Sequence, residues 1–86
     1  MENKIFESKD KQVVPFLLTQ HDIVFLGTHT VNSVVFFQFS PKKLCIGLVN
    51  RFVSYSAPLV QAKELLDAVE TFRGRIFEAK KDGYVV

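Results

Sequence analysis

Apolar side chains fall in six runs separated by short polar breaks, and the spacing within each run sets the element it predicts. Ile5 and Phe6 form the first, enough for a short edge strand. Ser8 and Asp10 follow, and either offers an oxygen to cap the free N–H groups at a helix start. Val13, Val14, Leu17 and Leu18 then recur at helical spacing, with Phe16 beside them. Pro15 interrupts this run. Inside a helix a proline removes one backbone hydrogen bond, at a cost of up to about 3 kcal/mol. The helix therefore either kinks or is very short with Pro15 in its first turn, and we expect a short helix ending at Gln20 and His21.

Ile23-Val24-Phe25-Leu26 and Val34-Val35-Phe36-Phe37-Gln38-Phe39 are β-branched and aromatic, and read as two strands. The polar link from Gly27 to Ser33 makes them an antiparallel hairpin, with the turn centred on Asn32, a residue that tolerates positive φ. Neither strand alternates cleanly. Residues 34–39 carry apolar side chains on both faces, so both faces are expected to be covered.

Ser40 and Pro41 read as a helix start, Ser as N-cap and Pro at the first helical position. Leu44, Cys45, Leu48, Val49, Phe52 and Val53 follow at three-four spacing. A last helix begins at Gln61 or Ala62, with Leu65, Leu66, Val69, Phe72 and Ile76 as its apolar stripe and a Glu70–Arg73 pair on its outer surface. Gly83 lies beyond its end. The order predicts an α+β fold, β-α-β-β-α-α, with helices packed on a small antiparallel sheet. One domain spans 1–86, ordered over about 5–79 with a tail over 80–86. Leu48, Phe52, Leu65, Leu66, Val69 and Phe72 are the expected core of the last two helices.

These stretches resemble a family of short bacterial and phage-type domains known only as domains of unknown function. The similarity rests on Ser8-Lys9-Asp10, Phe16-Leu17-Leu18, Phe25-Leu26-Gly27, Val34-Val35-Phe36-Phe37, Phe52 and Phe72-Arg73-Gly74-Arg75-Ile76-Phe77, and spans about residues 5 to 78. It implies the same strand–helix–hairpin–helix–helix order and an accessory role in a phage or mobile element. It assigns no functional residue.

Composition narrows the function classes. Of 86 residues 48% are hydrophobic and nine are Phe, against two Tyr and no Trp, so most rings lack a polar handle and belong in a core or an interface. A net charge of +2 falls short of the basic excess of a dedicated nucleic-acid binder. A single cysteine, Cys45, excludes an intrachain disulfide and a thiolate metal cage, and reads as a small buried apolar residue. No run approaches the roughly 20 apolar residues that span a bilayer, so the expected setting is cytoplasmic, without a membrane partner.

Catalysis requires converging polar groups, and few converge here. His21 and Asp22 are the one adjacent His–carboxylate pair; His21 reads as a helix-end residue and His29 as a turn residue. Neither is at metal-ligand spacing with the other or with Cys45. The four glycines are isolated, so there is no phosphate loop. Glu64, Asp67 and Glu70 read as a solvated helix flank. We expect no enzyme, cofactor, metal or small-molecule substrate.

Two binding readings remain. Val35, Phe37 and Phe39 share one side of a strand that needs a second cover, and if the helices lie on one side of the sheet, the other side must meet a partner. That partner is either another protein or, in the simplest case, a second copy in a homodimer. The alternative is a nucleic-acid-binding module that stacks bases on the Phe-bearing face. Its phosphate contacts would come from Lys42, Lys43 and Arg51, and from Arg73, Arg75, Lys80 and Lys81.

Overall fold

The computed structural model describes residues 5–84, with side chains through Lys80. Its elements run β1 (Phe6–Ser8), α1 (Val13–Leu18), β2 (Val24–Val31), β3 (Val34–Ser40), α2 (Lys42–Val53) and α3 (Ala62–Tyr84). The predicted α+β order holds. The sheet is antiparallel throughout with β3 in the middle, in the order β1-β3-β2.

The hairpin is tighter than its sequence suggests. Most of the polar link is strand: β2 runs on to Val31, which pairs with Val34 across a two-residue turn. Asn32 and Ser33 both take positive φ, 51° and 68°. That is the left-handed geometry whose twist matches the flanking strands of a two-residue hairpin. Thr28, His29 and Thr30 read as loop because they are polar, yet their backbone is paired. A bulge between Phe25 and Gly27 explains the broken alternation. Leu26 is the extra residue, and Gly27 takes φ +126°, a conformation L side chains rarely adopt.

The helices start and stop for local reasons. The Asp10 carboxylate accepts from the N–H groups of Gln12 (2.7 Å) and Val13 (2.9 Å), which settles the choice of cap for α1. Pro15 sits in the first turn of a six-residue helix, where its missing N–H removes little. Thr19 closes α1, its hydroxyl donating to the Phe16 carbonyl at 2.6 Å. At α2 the expected cap shifts by one residue. Ser40 ends β3, the Ser40–Pro41 peptide is cis, and extended Pro41 is itself the N-cap with no side-chain cap bond. The far end of α2 is a Schellman turn: Ser56 N–H donates to the Arg51 carbonyl (2.8 Å) and Tyr55 N–H to that of Phe52 (3.2 Å). Tyr55 holds the left-handed position that glycine usually fills. Helix α3 does not stop before Gly83 but continues to Tyr84, so its backbone covers most of the expected tail. Val85 and Val86 lie outside the described residues. Among the described residues the ion pair within α3 is Lys63–Asp67 (3.2 Å) rather than the anticipated Glu70–Arg73.

Packing is in two layers, and the molecule measures 45 × 37 × 19 Å. Val35, Phe37 and Phe39 point from β3 into the helix layer, where they meet Phe16, Leu17, Cys45, Leu48 and Phe72. Phe37 lies 5.1 Å from Phe72 and 5.9 Å from Phe25, and Phe16 stacks on Phe52 at 4.8 Å (centroid distances). The core reading holds for Leu48 and Phe72, both buried, while Phe52 and Val69 are half-buried. It fails for Leu65 and Leu66. The inward line of α3 is Ala68 and Phe72, both buried, continued by half-buried Ile76 and Ala79. Leu66 stands about 120° around the helix from Phe72 at 100° per residue, and is 66% exposed. Leu65 is on the right line but one turn too early, and lines a surface cleft.

Candidate functional site

The chain covers only one face of its sheet. Burial along β3 alternates: Val35, Phe37 and Phe39 are buried, Val34 is exposed, and Phe36, Gln38 and Ser40 are half-buried. Cross-strand partners share a face, so the register extends the open side to Val24, His29 and Val31 on β2 and Glu7 on β1. Val24 is 58% exposed, and Leu26 in the bulge 47%. One expectation is overturned. The helices lie on one side of the sheet, the arrangement under which the other side was expected to meet a partner, but the candidate contact residues Val35, Phe37 and Phe39 are on the covered side, at most 5% exposed beneath the chain's own helices. The bare apolar surface is the opposite one.

A polar bridge crosses it. The Glu7 carboxylate reaches over the middle strand, accepting from Gln38 Nε2 (2.6 Å) and meeting His29 Nδ1 (3.3 Å) at the same oxygen. The Gln38 bond, then that to His29, holds the Glu7 carboxyl below its ordinary value. His29 is therefore not a turn residue but the β2 end of a link across all three strands. On either side of this bridge the face is apolar, with Val24 and Leu26 towards one end and Phe36, Val34 and Val31 towards the hairpin tip. Strands β2 and β3 carry no Asp, Glu, Lys or Arg.

The remaining candidates do not assemble into a site. His21 Nε2 meets Glu64 Oε2 at 3.1 Å, tying the segment after α1 to the start of α3 at the surface. Asp67 is engaged by Lys63, and Glu70 is exposed. Cys45 is fully buried and desolvation pushes its thiol pKa up, the opposite of an activated nucleophile. Among the described residues no three His, Cys, Asp or Glu side chains cluster as a metal site would need. None of the described helices is long and apolar enough to cross a membrane.

The basic residues are exposed but dispersed over two helices, Lys42, Lys43 and Arg51 on α2 and Arg73, Arg75 and Lys80 on α3. Two have local work: Arg51 Nε donates to the Ser56 carbonyl (3.2 Å), and the Arg75 guanidinium lies 5.0 Å from the Phe25 ring centroid. The Lys81 side chain is outside the described residues. With Phe37 and Phe39 buried, the rings assigned to base stacking are not on the surface. A second apolar feature, a cleft of about 520 Å³, opens between α1, α2 and the start of α3. Pro15, Phe16, Phe52, Leu59 and Leu65 line it, with Lys11 at the rim.

Comparison with protein-family models, curated proteins and solved structures finds no match.

Val24, Leu26, Val31, Val34 and Phe36 escaped the sequence reading because both alternating sets of β3 are apolar. One signal was there to use. Gln38 and Ser40 belong to the set with Val34 and Phe36, and a polar pair marks the wetter side of a strand.

Proposed function

We propose that this chain is a small non-catalytic protein-interaction module whose contact surface is the open face of its sheet. One observation carries the reading: a three-stranded sheet buries one face under its own helices and leaves Val24, Leu26, Val31, Val34 and Phe36 largely or partly bare on the other. Scattered exposed apolar residues are ordinary, whereas two apolar clusters gathered on one regular face, on either side of a polar bridge, are what partner-binding faces look like. The burial of Cys45 fits a reducing, cytoplasmic setting. The resemblance to phage-type domains adds an accessory role in a phage or mobile element, and with it a partner encoded close by.

Site-specific photo-crosslinking tests the reading. A photoreactive residue at position 36 should capture protein in the native host, and capture should vanish when Val34→Glu is added. The same probe at exposed Tyr55, away from the sheet, is the control. If position 36 captures nothing while the chain is folded, or captures no more than position 55, the open face is not a contact surface.

A further inference from the structure

We propose that the cleft between α1, α2 and the start of α3 is a peptide site. It takes an extended segment whose apolar side chains enter the cleft and whose neighbouring carboxylate meets Lys11. The cleft belongs to the helix layer, so the inference goes beyond the open sheet face and does not depend on it.

Shape is the first support. The cleft holds about 520 Å³, within the roughly 300–1,000 Å³ typical of ligand sites. Apart from Lys11 and Gln12, every side chain on its lining is apolar. The stacked rings of Phe16 and Phe52 are part of that lining, with Leu59 fully exposed and Leu65 partly exposed beside them.

Charge is the second. Lys11 is the one charged residue on the lining. Among the described residues it enters no salt bridge, and Asp10, next to it in the chain, has its carboxylate bonded to the N–H groups of Gln12 and Val13. The polar part of the lining therefore lies at the start of α1 and carries a positive sign. An apolar ligand with an anionic group beside it matches this arrangement, and a cationic one is repelled.

The backbone is the third support, and it favours a peptide over a simple amphiphile. Residues 57–60 line the cleft and are neither helix nor strand. Among the described residues the N–H groups of Ala57, Leu59 and Val60 donate no hydrogen bond, and the carbonyls of 57–60 accept none. Ala57 and Val60 are nonetheless half-buried, where main-chain groups gain from a partner. Pro58 biases Ala57 towards extended backbone. An extended peptide laid along this segment supplies donors and acceptors at strand spacing, and its alternate side chains then enter the cleft. A fatty acid has one polar end and leaves these groups unpaired.

Amide NMR of the isotope-labelled chain, titrated with the blocked peptide acetyl-Leu-Ala-Leu-Ala-Glu-amide, tests the inference. The Leu and Glu side chains of this peptide share one side of a strand. Saturable shifts are expected at residues 11–16, 52 and 57–65, around the cleft. Lys in place of Glu in the peptide should weaken binding by about threefold or more, and Lys11→Glu should reverse that order. Of two peptides N-methylated at alternate residues, the one that loses the donors facing 57–60 should bind about two- to tenfold weaker than the other. Leu59→Glu, at a fully exposed position that the fold does not need, should weaken binding by about tenfold, and Val34→Glu on the sheet should leave it unchanged. No saturable shift up to about 5 mM peptide overturns the inference. So do equal affinities for the Glu and Lys peptides, equal affinities for the two N-methylated peptides, or binding that Val34→Glu abolishes. Decanoate that binds at the cleft as tightly as the peptide assigns the site to a lipid acid and overturns it too. The cleft and the open face are probed by separate variants, so either reading can fail while the other stands.

Discussion

Phe36 and Phe37 are neighbours in sequence and opposites in consequence, which makes them a stringent pair to perturb. The Phe37 ring has no solvent exposure and packs on Phe25 and Phe72. Truncation to Ala forfeits about 1.5–3 kcal/mol of transfer free energy. If half of the ~100 Å³ vacated stays empty, a cavity cost of about 24 cal/mol per Å³ adds roughly 1 kcal/mol. The sum, about 3–4 kcal/mol, is a large part of the roughly 4–13 kcal/mol expected for a domain of this length. At about 4–8 °C per kcal/mol it lowers Tm by at least about 12 °C. Phe36 is half-buried on the open face, and its ring already meets water. Phe36→Ala should cost about 1 kcal/mol or less in the monomer. Thermal and urea unfolding followed by circular dichroism, at a dilution where association is negligible, compares the two. Equal losses, or a Phe37→Ala melt within about 3 °C of wild type, would refute the assignment of the covered face.

Further outcomes follow from local geometry. Asp10→Ala should destabilise by about 1 kcal/mol, because two N–H groups at the start of α1 lose their acceptor, and Asp10→Asn by less; urea midpoints measure both. Tyr55→Gly should raise stability by about 0.5 kcal/mol in the same assay. The left-handed position at the end of α2 strains any side chain, and that of Tyr55, 98% exposed, has no packing to lose. The carboxyls of Glu7 and Asp10 are both held below their ordinary values, Glu7 by Gln38 and then His29, Asp10 by the N–H groups of Val13 and Gln12. On acidification the unfolded chain therefore takes up protons first. The stabilisation is complete above the ordinary Glu value of 4.5 and is lost as pH falls through the lower folded-state values. Glu7→Gln with Asp10→Asn should lower stability at neutral pH and flatten the acid limb of an unfolding-versus-pH profile; an unchanged limb would count against both bonds.

Much of the architecture was legible because it is set by local rules. Helical spacing marked α1 despite Pro15, since a proline this near the start removes a single bond, to the Lys11 carbonyl, while those of Val14 and Phe16 on either side still form. The fold order came from where apolar period changes from two to three-and-four. What escaped depends on relations between distant residues. Thr28, His29 and Thr30 are polar, and only pairing with β3 makes them strand. Leu66 looks like core until the helix is rotated to place Phe72 against Phe37. The choice of covered face on β3 was a contest between two apolar sets, decided by which set reaches Phe16, Leu48 and Phe72, contacts far apart in sequence. Glu7 and His29 were invisible as a pair because 22 residues and the whole middle strand separate them.

The bulge beside Gly27 bears on how a chain with bare valines behaves at high concentration. β2 is the long outer edge of the sheet, and an even edge recruits neighbours strand upon strand without limit. Leu26 inserts an unmatched residue into that edge, and the turn of the backbone at Gly27 throws its amides out of step with any incoming strand. Growth by edge pairing is thereby obstructed. One irregular dipeptide sets the chain against open-ended growth of strand upon strand, whatever the open face meets.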